Sequence, residues 1–269
     1  MKIVMFQGGL GNQLFQYEFY RWLSSTVDSK RIYAYYPKKA LSSHNGLEID
    51  DCFDVKLPPS TFWATTIVKF FKVLRRLNLP CRFIANARKF SLNAVLFEDY
   101  WQDLRYFTDT NFDVKVPSDY WDRNSEIYNL LQTQNTVSIH VRRGDYLTGE
   151  NPQIYGEICT PDYYNKAVKL MNNTVENPHY LIFSDDIIWV KENITIENMH
   201  IIEINRGKDS YLDMYLMSKC HHNIIANSTF GWWGAYLNKN PNKIVVAPAK
   251  WYKSKHEQPN IFPSNWVRL

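Results

Sequence analysis

The alternation of apolar and polar residues is clearest over positions 137–141. Val137, Ile139 and Val141 alternate there with two polar residues, and this period of two predicts a β-strand. Strands that alternate with helices along the second half predict a parallel, doubly wound sheet. The further strands are predicted at Tyr180–Phe183, His200–Ile204, Asn223–Ala226 and Ile244–Ala247, and the helices at Pro161–Asn172, Ile187–Glu192, Ser210–Lys219 and Thr229–Leu237.

The first half of the chain begins with a predicted strand at Lys2–Phe6, and a second strand is predicted at Ile32–Tyr36. A glycine-rich turn, Gly8–Gly11, and a helix-like stretch from Leu14 to about Ser24 lie between them. A strand, a glycine turn and a helix in this order can direct backbone N–H groups at a ligand. Because Leu14 stands where a dinucleotide fingerprint needs its third glycine, an NAD site is disfavoured.

A longer helix is predicted over Trp63–Leu77, where apolar residues recur three and four positions apart. Two interpretations stay open: a domain helix with a solvated basic face, or a helix drawn to anionic lipid at a membrane surface. The apolar residues are Ile67, Phe70, Phe71, Leu74 and Leu77, and the basic residues on the other side are Lys69, Lys72, Arg75 and Arg76.

Residues 96–102 are predicted to form a strand that runs into a loop, and a helix is predicted from Asp119 to Gln132 with Ser118 as its cap. The polar tract 133–136 precedes the strand at Val137, and we place a domain boundary there. The chain is thus predicted to divide into residues 1–134, residues 135–250 and a tail, 251–269, that packs back on the first half.

Composition narrows the class of protein. With 269 residues, 45% of them hydrophobic, the chain can bury the core of one or two ordinary domains. A net charge of +4 without a massed basic tract gives no indication of nucleic acid binding. The four cysteines stand far apart, so neither a zinc ribbon nor a redox pair is indicated. Because no apolar run suits a signal peptide or a membrane span, we expect a cytoplasmic protein with free thiols.

Residues that can bind an anion follow several predicted strands. Arg142 and Arg143 come directly after one of them, and a guanidinium matches phosphate oxygens two at a time. Ser228 and Thr229 begin the last predicted helix, whose N-terminal amides suit a phosphate. Asp213, one turn into the preceding helix, can accept two hydrogen bonds from a guanine base. The carboxyl ends of parallel strands share one edge, where ligands of open α/β sheets bind.

Each of these groups also has a purely structural interpretation. The arginines could be solvated residues of a turn, and Asp185 and Asp186 could cap the helix that follows them. Asp213 alone would more often be a solvated helix residue. Their joint occurrence at successive strand ends favours a binding site.

Five segments resemble the bacterial α-1,2-fucosyltransferases: Gly8–Tyr17, Tyr100–Gln102, His140–Tyr146, Phe183–Asp186 and Asn227–Leu237. The resemblance implies a GT-B fold, in which two Rossmann-like domains face each other across a cleft. Residues 1–134 would be the acceptor-side domain and residues 135–250 the GDP-fucose-binding domain. It also implies an inverting enzyme that moves L-fucose from GDP-β-L-fucose to the 2-hydroxyl of a terminal β-galactoside, without a metal or another cofactor.

The same resemblance implies roles for single residues. Arg142 matches the arginine that holds the donor diphosphate, Asn12 an amide near the reacting centre, and His140 and Asp213 contacts of the nucleoside. Catalysis would rest on Arg142, Asn12 and Asp145, and Asp185 is the other candidate for a base. The predicted donor-binding residues are Gly9, Gly11, Asn12, His140, Arg142, Arg143, Asp185, Asp213, Asn227, Ser228 and Thr229.

The implied partners are GDP-fucose and a galactose-terminated oligosaccharide, which is either free or lipid-linked. No nucleic acid partner is expected. The basic helix at 63–77 adds the hypothesis of a peripheral contact with the inner face of the membrane. Two alternatives stay open: a fucosyltransferase with another linkage or acceptor, and a non-catalytic module that binds a nucleotide or a sugar.

Overall fold

The computed structural model describes residues 1–41, 45–79, 81–110, 112–149, 151–253 and 257–269. These residues form two compact units, Met1–Lys115 and Val116–Leu269. Each unit contains a parallel β-sheet with helices, which confirms the predicted α/β class. The predicted domain boundary lay after residue 134, whereas the compact units meet at Lys115.

The first unit is built on a four-stranded parallel sheet in the order β2-β1-β4-β3. Its core is made where helix α4 covers β1 and β4, through Ile3, Met5, Val68, Phe71 and Leu96. The strands are β1 (Lys2–Met5), β2 (Ile32–Tyr35), β3 (Ile84–Ala85) and β4 (Leu96–Phe97), and the helices are α1 (Leu10–Thr26), α2 (Lys38–Leu41), α3 (Ile49–Cys52) and α4 (Phe62–Arg76).

Helix α1 begins four residues earlier than the sequence predicts, at Leu10 and not at Leu14. Leu10 and Leu14 are both buried, so one apolar stripe already runs through the first turn. The glycine turn thus leads directly into the helix, and Gly9 is its N-cap without a side-chain cap.

The second unit is built on a six-stranded parallel sheet in the order β10-β9-β8-β5-β6-β7. Its strands are β5 (Asn135–Val141), β6 (Pro178–Ser184), β7 (Met199–Ile201), β8 (His222–Ile224), β9 (Val245–Ala247) and β10 (Val267–Arg268). Its helices are α5 (Tyr120–Arg123), α6 (Ser125–Thr133), α7 (Asn151–Ile154), α8 (Pro161–Thr174), α9 (Ile187–Asn193), α10 (Tyr211–Lys219) and α11 (Thr229–Tyr236).

The order of these strands creates a switch point in the sheet. From β5 the chain moves outward to β6 and β7, and it then returns to pair β8 with the other side of β5 before moving outward again to β9. Ligands of open α/β sheets bind beyond the carboxyl ends of the strands at such a point. The predicted doubly wound sheet is therefore confirmed, and the topology directs attention to the ends of β5 and β8.

Strand β5 is buried on both faces, although its sequence alternates between apolar and polar residues. Thr136, Ser138 and His140 are buried together with their apolar neighbours. A parallel sheet of this kind is covered by helices on both sides, so the polar residues need partners. Ser138 has one, because its Oγ accepts a hydrogen bond of 2.7 Å from Nδ2 of Asn223.

The helix predicted over Asp119–Gln132 is divided into α5 and α6. The break falls at Asn124, whose Nδ2 donates to the carbonyl of Tyr120 at 2.7 Å. Asparagine competes with the helix in this way because its short amide can bond to nearby backbone. Ser118 is not the cap, since Asp119 occupies the N-cap of α5.

The C-terminal tail carries the last strand of the second sheet. Strand β10 pairs in parallel with β9, and Nε1 of Trp232 donates to the carbonyl of Ile261 at 2.7 Å. The sequence predicts a tail that packs on the first half, whereas these contacts attach it to the second unit. Residues 254–256 of the predicted tail lie outside the described residues.

Candidate active site

Arg142 follows the last residue of β5 and is held by two carboxylates. Its Nε and one terminal nitrogen contact Oδ1 of Asp145 at 3.0 and 2.9 Å, and the other terminal nitrogen contacts Oδ2 of Asp185 at 3.0 Å. Asp185 lies just after β6, so the two carboxyl ends of neighbouring strands meet here. Among the described residues the two terminal nitrogens of Arg142 have no other partner, so one N–H on each is open to a ligand.

The carboxylate of Asp185 also shapes the loop after β5. It accepts hydrogen bonds from the backbone N–H groups of Arg143 at 2.9 Å and Gly144 at 3.1 Å. A Cβ at position 144 would lie 2.7 Å from Oδ2 of Asp185, so glycine permits this close approach. Both carboxylate oxygens of Asp185 are therefore engaged by N–H donors of the protein.

Arg143 is directed away from Asp185 toward the start of α9. Its Nε donates to Oδ2 of Asp186 at 3.1 Å, and its guanidinium lies 4.3 Å from the ring centroid of Trp189. Oδ1 of Asp186 accepts from the backbone N–H of Trp189 and so caps α9. The structural interpretation of Asp186 as a helix cap is confirmed.

The charges around the end of β5 do not add up to a positive cluster. Two arginines, Arg142 and Arg143, face three carboxylates, those of Asp145, Asp185 and Asp186. Asp145 in the loop after β5 and the two aspartates that follow β6 pair with the arginines, so the positive charge at this edge is compensated. Arg142 is thus a preorganised donor of hydrogen bonds in a nearly neutral setting.

The loop after β8 is joined to the loop after β5 by Tyr146. The hydroxyl of Tyr146 donates to the backbone carbonyl of Asn227 at 2.9 Å. Burial raises the pKa of Tyr146, so its hydroxyl stays protonated as this contact requires. The amide of Asn227 donates to the carbonyls of Tyr155 and Trp251, which places its side chain in the scaffold of the loop.

Helix α11 begins at this loop with open capping positions. Ser228 is the N-cap and Thr229 the first helical residue, and the hydroxyl of Ser228 makes no capping hydrogen bond. The first N–H groups of a helix have no partner within the helix and attract anions. Ser228 is buried and Thr229 half-buried at the end of β8, beside the switch point.

His140 is packed against the first turn of α11. A Cβ at Gly231 would lie 2.7 Å from Cγ of His140, so the strand and the helix approach each other closely at this glycine. Nδ1 of His140 is buried and has no hydrogen-bond partner within the part of the chain that the structure describes. Burial, together with the charge of Arg142, lowers the pKa of His140 to about 3, so the ring is neutral.

Replacing Gly231 with alanine should reduce the free energy of unfolding by about 1–3 kcal/mol, because the new methyl group overpacks the ring of His140. Urea unfolding followed by circular dichroism measures the change. The same substitution should cost far less in a His140→Ala background, where the ring is absent. An equal loss in both backgrounds would contradict the proposed contact.

Asp213 lies in the first turn of α10 and forms a separate polar cluster. Its Oδ1 accepts from Nδ2 of Asn205 at 2.8 Å, and the same nitrogen lies 3.1 Å from the hydroxyl of Tyr120. Burial raises the pKa of Asp213 to about 7, although the hydrogen bond from Asn205 acts in the opposite direction. Oδ2 has no hydrogen-bond partner among the described residues.

The first unit has its own polar cluster at the start of α1. Gly8 has φ +77°, and a Cβ there would lie 2.9 Å from Nδ2 of Asn12. Oδ1 of Asn12 accepts from Nε2 of Gln102 at 2.9 Å, which fixes the orientation of its amide. Gly9 and Gly11 lie in the same turn, so the structure brings together the site residues predicted in this half.

Within the second unit, the structure brings Arg142, Asp145 and Asp185 into one cluster. Asn205 and Trp189 are contacts that the sequence did not indicate. Asn205 could have been found, because it follows a predicted strand just as Arg142 and Asp185 do, whereas no periodicity or motif signals an indole beneath Arg143.

Two features are absent from the described residues. No group of three His, Cys, Asp or Glu side chains is arranged to hold a metal ion. No helix among these residues has both the length and the apolar character that crossing a membrane requires.

In fold, the chain is similar to the crystal structure of NodZ, an α-1,6-fucosyltransferase soaked with GDP-fucose. The two share a TM-score of 0.53 and 14% sequence identity, over 86% of this chain and 90% of NodZ. Together with the strand order of the second sheet, this similarity shows that the fold is of the open α/β class with parallel sheets.

Sequence comparison defines the family. Residues 75–269 match the model of glycosyl transferase family 11. An α-1,2-colitosyltransferase of Escherichia coli is 31% identical over 97% of this chain and 96% of its own length. Galactoside α-(1,2)-fucosyltransferase 1 of Saimiri boliviensis boliviensis is 31% identical over 38% of this chain and 28% of that one. The chain belongs to glycosyl transferase family 11 and is a glycosyltransferase, as its motifs predicted.

Proposed function

We propose that the protein transfers L-fucose from GDP-β-L-fucose to the 2-hydroxyl of a terminal β-galactoside, with inversion and without a metal ion. The observation that carries this proposal is the switch point between β5 and β8, where Arg142 and the N-terminus of α11 flank one edge of the sheet. Departure of GDP builds negative charge on the β-phosphate. The remaining N–H groups of Arg142 and the first amides of α11 would stabilise that charge.

Asp145 is the better candidate for the base that receives the acceptor proton. The described contacts of its carboxylate involve Oδ1 alone, and the side chain is 44% exposed. Asp185, in contrast, has both oxygens engaged by N–H donors of the protein, so both are already occupied by internal contacts. Asp145 would therefore be the base, and Asp185 would hold Arg142 in position.

The nucleoside is assigned to the region around Asp213. A guanine base presents an N–H and an amine on one edge, and a carboxylate can accept from both. Oδ2 of Asp213 is open for such a contact, while Asn205 holds Oδ1. His140 and Ser228 would lie between this region and the diphosphate, because both flank the start of α11.

The first unit is proposed to bind the acceptor. The same unit would also contact the donor: Asn12, whose amide is oriented by Gln102, would donate from Nδ2 to a sugar oxygen of GDP-fucose, and Gly9 and Gly11 would let that ligand approach the backbone. The GT-B arrangement of two facing domains is part of the proposal.

A second donor is favoured by a specific observation. One relative that matches nearly the whole chain is named for colitose, and a relative that matches part of the chain is named for fucose. Both names share the α-1,2 linkage. Because colitose is fucose without its 3-hydroxyl, the donors differ by one hydrogen-bonding group, and a site that bonds this hydroxyl rejects the analogue that lacks it.

Mass spectrometry of the products tests the function directly. GDP-fucose and GDP-colitose are each offered with a panel of β-galactosides and related acceptors, and linkage analysis follows. We expect α-1,2-fucosylated galactosides, formed at the same rate when EDTA is present. If only colitosylated products form, GDP-colitose would take the place of GDP-fucose as the proposed donor. A strict requirement for a divalent ion would contradict the proposed mechanism. GDP binding without any transfer would favour a non-catalytic module.

A further inference from the structure

Helix α4 of the first unit has two apolar faces, of which the sheet covers only one. Ala64, Val68 and Phe71 are buried against the strands. Phe70 and Leu77 were predicted to join this face, and that prediction is wrong, since they are 57% and 64% exposed. The helix thus turns the face with Ala64 and Val68 to the sheet, which leaves Phe70 on the outward side.

The outward face is a continuous apolar stripe. At about 100° per residue, positions 62, 66, 70, 73 and 77 fall on one side of the helix. Phe62 is 76% exposed, Trp63 70% and Val73 49%, and Thr66 is the polar residue among them. Single exposed apolar residues are ordinary, but a contiguous exposed stripe with three aromatic rings marks an interaction surface.

The chain segment that carries this stripe has charged residues of one sign only. No Asp or Glu lies between Asp54 and Glu98, and the segment contains eight Lys or Arg residues: Lys56, Lys69, Lys72, Arg75, Arg76, Arg82, Arg88 and Lys89. Arg75 pairs with Glu98, and the Lys72 amine lies 5.0 Å from the ring centroid of Tyr35. Lys69 and Arg76 border the stripe, are exposed and form no ion pair within the described residues.

We propose that this face of α4 docks on an anionic lipid surface. The rings of Phe62, Trp63 and Phe70 would enter the boundary between head groups and acyl chains, and Lys69 and Arg76 would contact the anionic head groups. A second copy of the chain fits the face less well. A two-fold contact would bring the Lys69 and Arg76 of both copies together, and like charges repel. The inference goes beyond the proposed transfer reaction and does not depend on which sugar is moved.

Vesicle flotation tests the inference with the full chain. Vesicles of phosphatidylcholine are compared with vesicles that also contain phosphatidylglycerol, at low and at physiological salt. The wild type should float with the anionic vesicles, and more so at low salt. Trp63→Ser with Phe70→Ser should lower the partition coefficient by about tenfold or more. Lys69→Gln with Arg76→Gln should lower it by about tenfold on anionic vesicles alone.

A matched control lies on helix α9 of the second unit. Ile188 is 73% exposed, and Lys191 follows three residues later, so Ile188→Ser with Lys191→Gln removes a similar pair from another surface. This variant should float as the wild type does. All variants should keep the thermal unfolding midpoint of the wild type, because the changed side chains are exposed.

Three results would overturn the proposal. One is a wild type that stays unbound with phosphatidylglycerol vesicles, and another is a Trp63→Ser, Phe70→Ser variant that floats like the wild type. The third is a dimer in sedimentation velocity that this variant converts to a monomer without any vesicle binding, which would assign the face to a second copy of the chain. None of these measurements involves sugar transfer, so they are independent of the proposed function.

Discussion

Replacing Arg142 with alanine should lower kcat by about 10²- to 10³-fold, the scale observed when one donor that stabilises developing charge is lost. The proposal places its free N–H groups at the β-phosphate, where negative charge grows as the sugar departs. An interaction that strengthens in the transition state changes kcat more than KM. Steady-state kinetics with the donor and acceptor identified by product analysis measures both constants.

The controls for this variant separate chemistry from folding. Arg123 is an exposed arginine paired with Asp119 in the same unit, and Arg123→Ala should retain full activity. Arg142→Lys keeps the charge but not the planar fork, so it should recover little of the loss. Added guanidinium should partly restore the Arg142→Ala enzyme. Activity of Arg142→Ala within about threefold of the wild type would remove this residue from the mechanism.

The stability of the Arg142→Ala protein should change little. The guanidinium and its partners, Asp145 and Asp185, keep 31%, 44% and 26% of their side-chain surface exposed. Ion pairs with this much solvent contact contribute at most about 1 kcal/mol to stability. A large fall in the thermal midpoint would show that Arg142 has a structural task, and the kinetic result would then have to come from Arg142→Lys.

Strand ends were the part of the site that the sequence could predict. The alternation in Val137–Val141 locates β5, and the residues that follow it are then placed at the carboxyl edge by topology alone. The same rule places Asp185 after β6 and Ser228 after β8. Prediction succeeded here because hydrophobic burial determines where buried strands begin and end.

The pairing of charges at this edge could not be predicted in the same way. Which carboxylate meets Arg142 depends on the register of β5 with β6, in which Val141 lies opposite Ser184. Sequence spacing does not contain that register, so the neutralising role of Asp185 appeared only in the structure. The Asn205 contact of Asp213 likewise depends on how the chain enters α10.

In helix α4, the periodic pattern predicted the helix but not which of its faces is buried. Spacing predicted a helix over Trp63–Leu77, and the structure has one over Phe62–Arg76. The pattern did not determine its rotation, because apolar residues occupy more than half of its circumference. Packing against the sheet selected the face with Ala64 and Val68, and this selection left Phe70 outside.

Replacing Asp213 with asparagine should weaken GDP binding by at least about 10²-fold and abolish the preference for GDP over ADP. Two charge-assisted hydrogen bonds to guanine would be lost, each worth about 1.5–3 kcal/mol. Asparagine can keep one acceptor, but it also presents a donor to the donor edge of the base. Titration calorimetry with GDP and ADP measures both affinities.

The wild type should also bind GDP more weakly below pH 7, because protonation of Asp213 determines the direction in which the affinity changes with pH. Burial raises the pKa of the unliganded carboxyl to about 7, whereas an unfolded aspartate titrates near 3.8. The neutral acid therefore accumulates as the pH falls below 7, and guanine requires the ionised form. Affinity should fall by about 30-fold between pH 8 and pH 5.5, with a proton released on binding near pH 6.

Asp213→Asn should remove both the pH dependence and the proton release, and a neighbouring variant provides the control. Asp209 is an exposed aspartate four residues earlier, and Asp209→Asn should keep the affinity and pH profile of the wild type. Calorimetry in two buffers with different ionisation enthalpies counts the released protons. If GDP affinity is flat from pH 5.5 to pH 8 in the wild type, or if Asp213→Asn still prefers GDP to ADP, another group recognises the base, and His140 becomes the next residue to change.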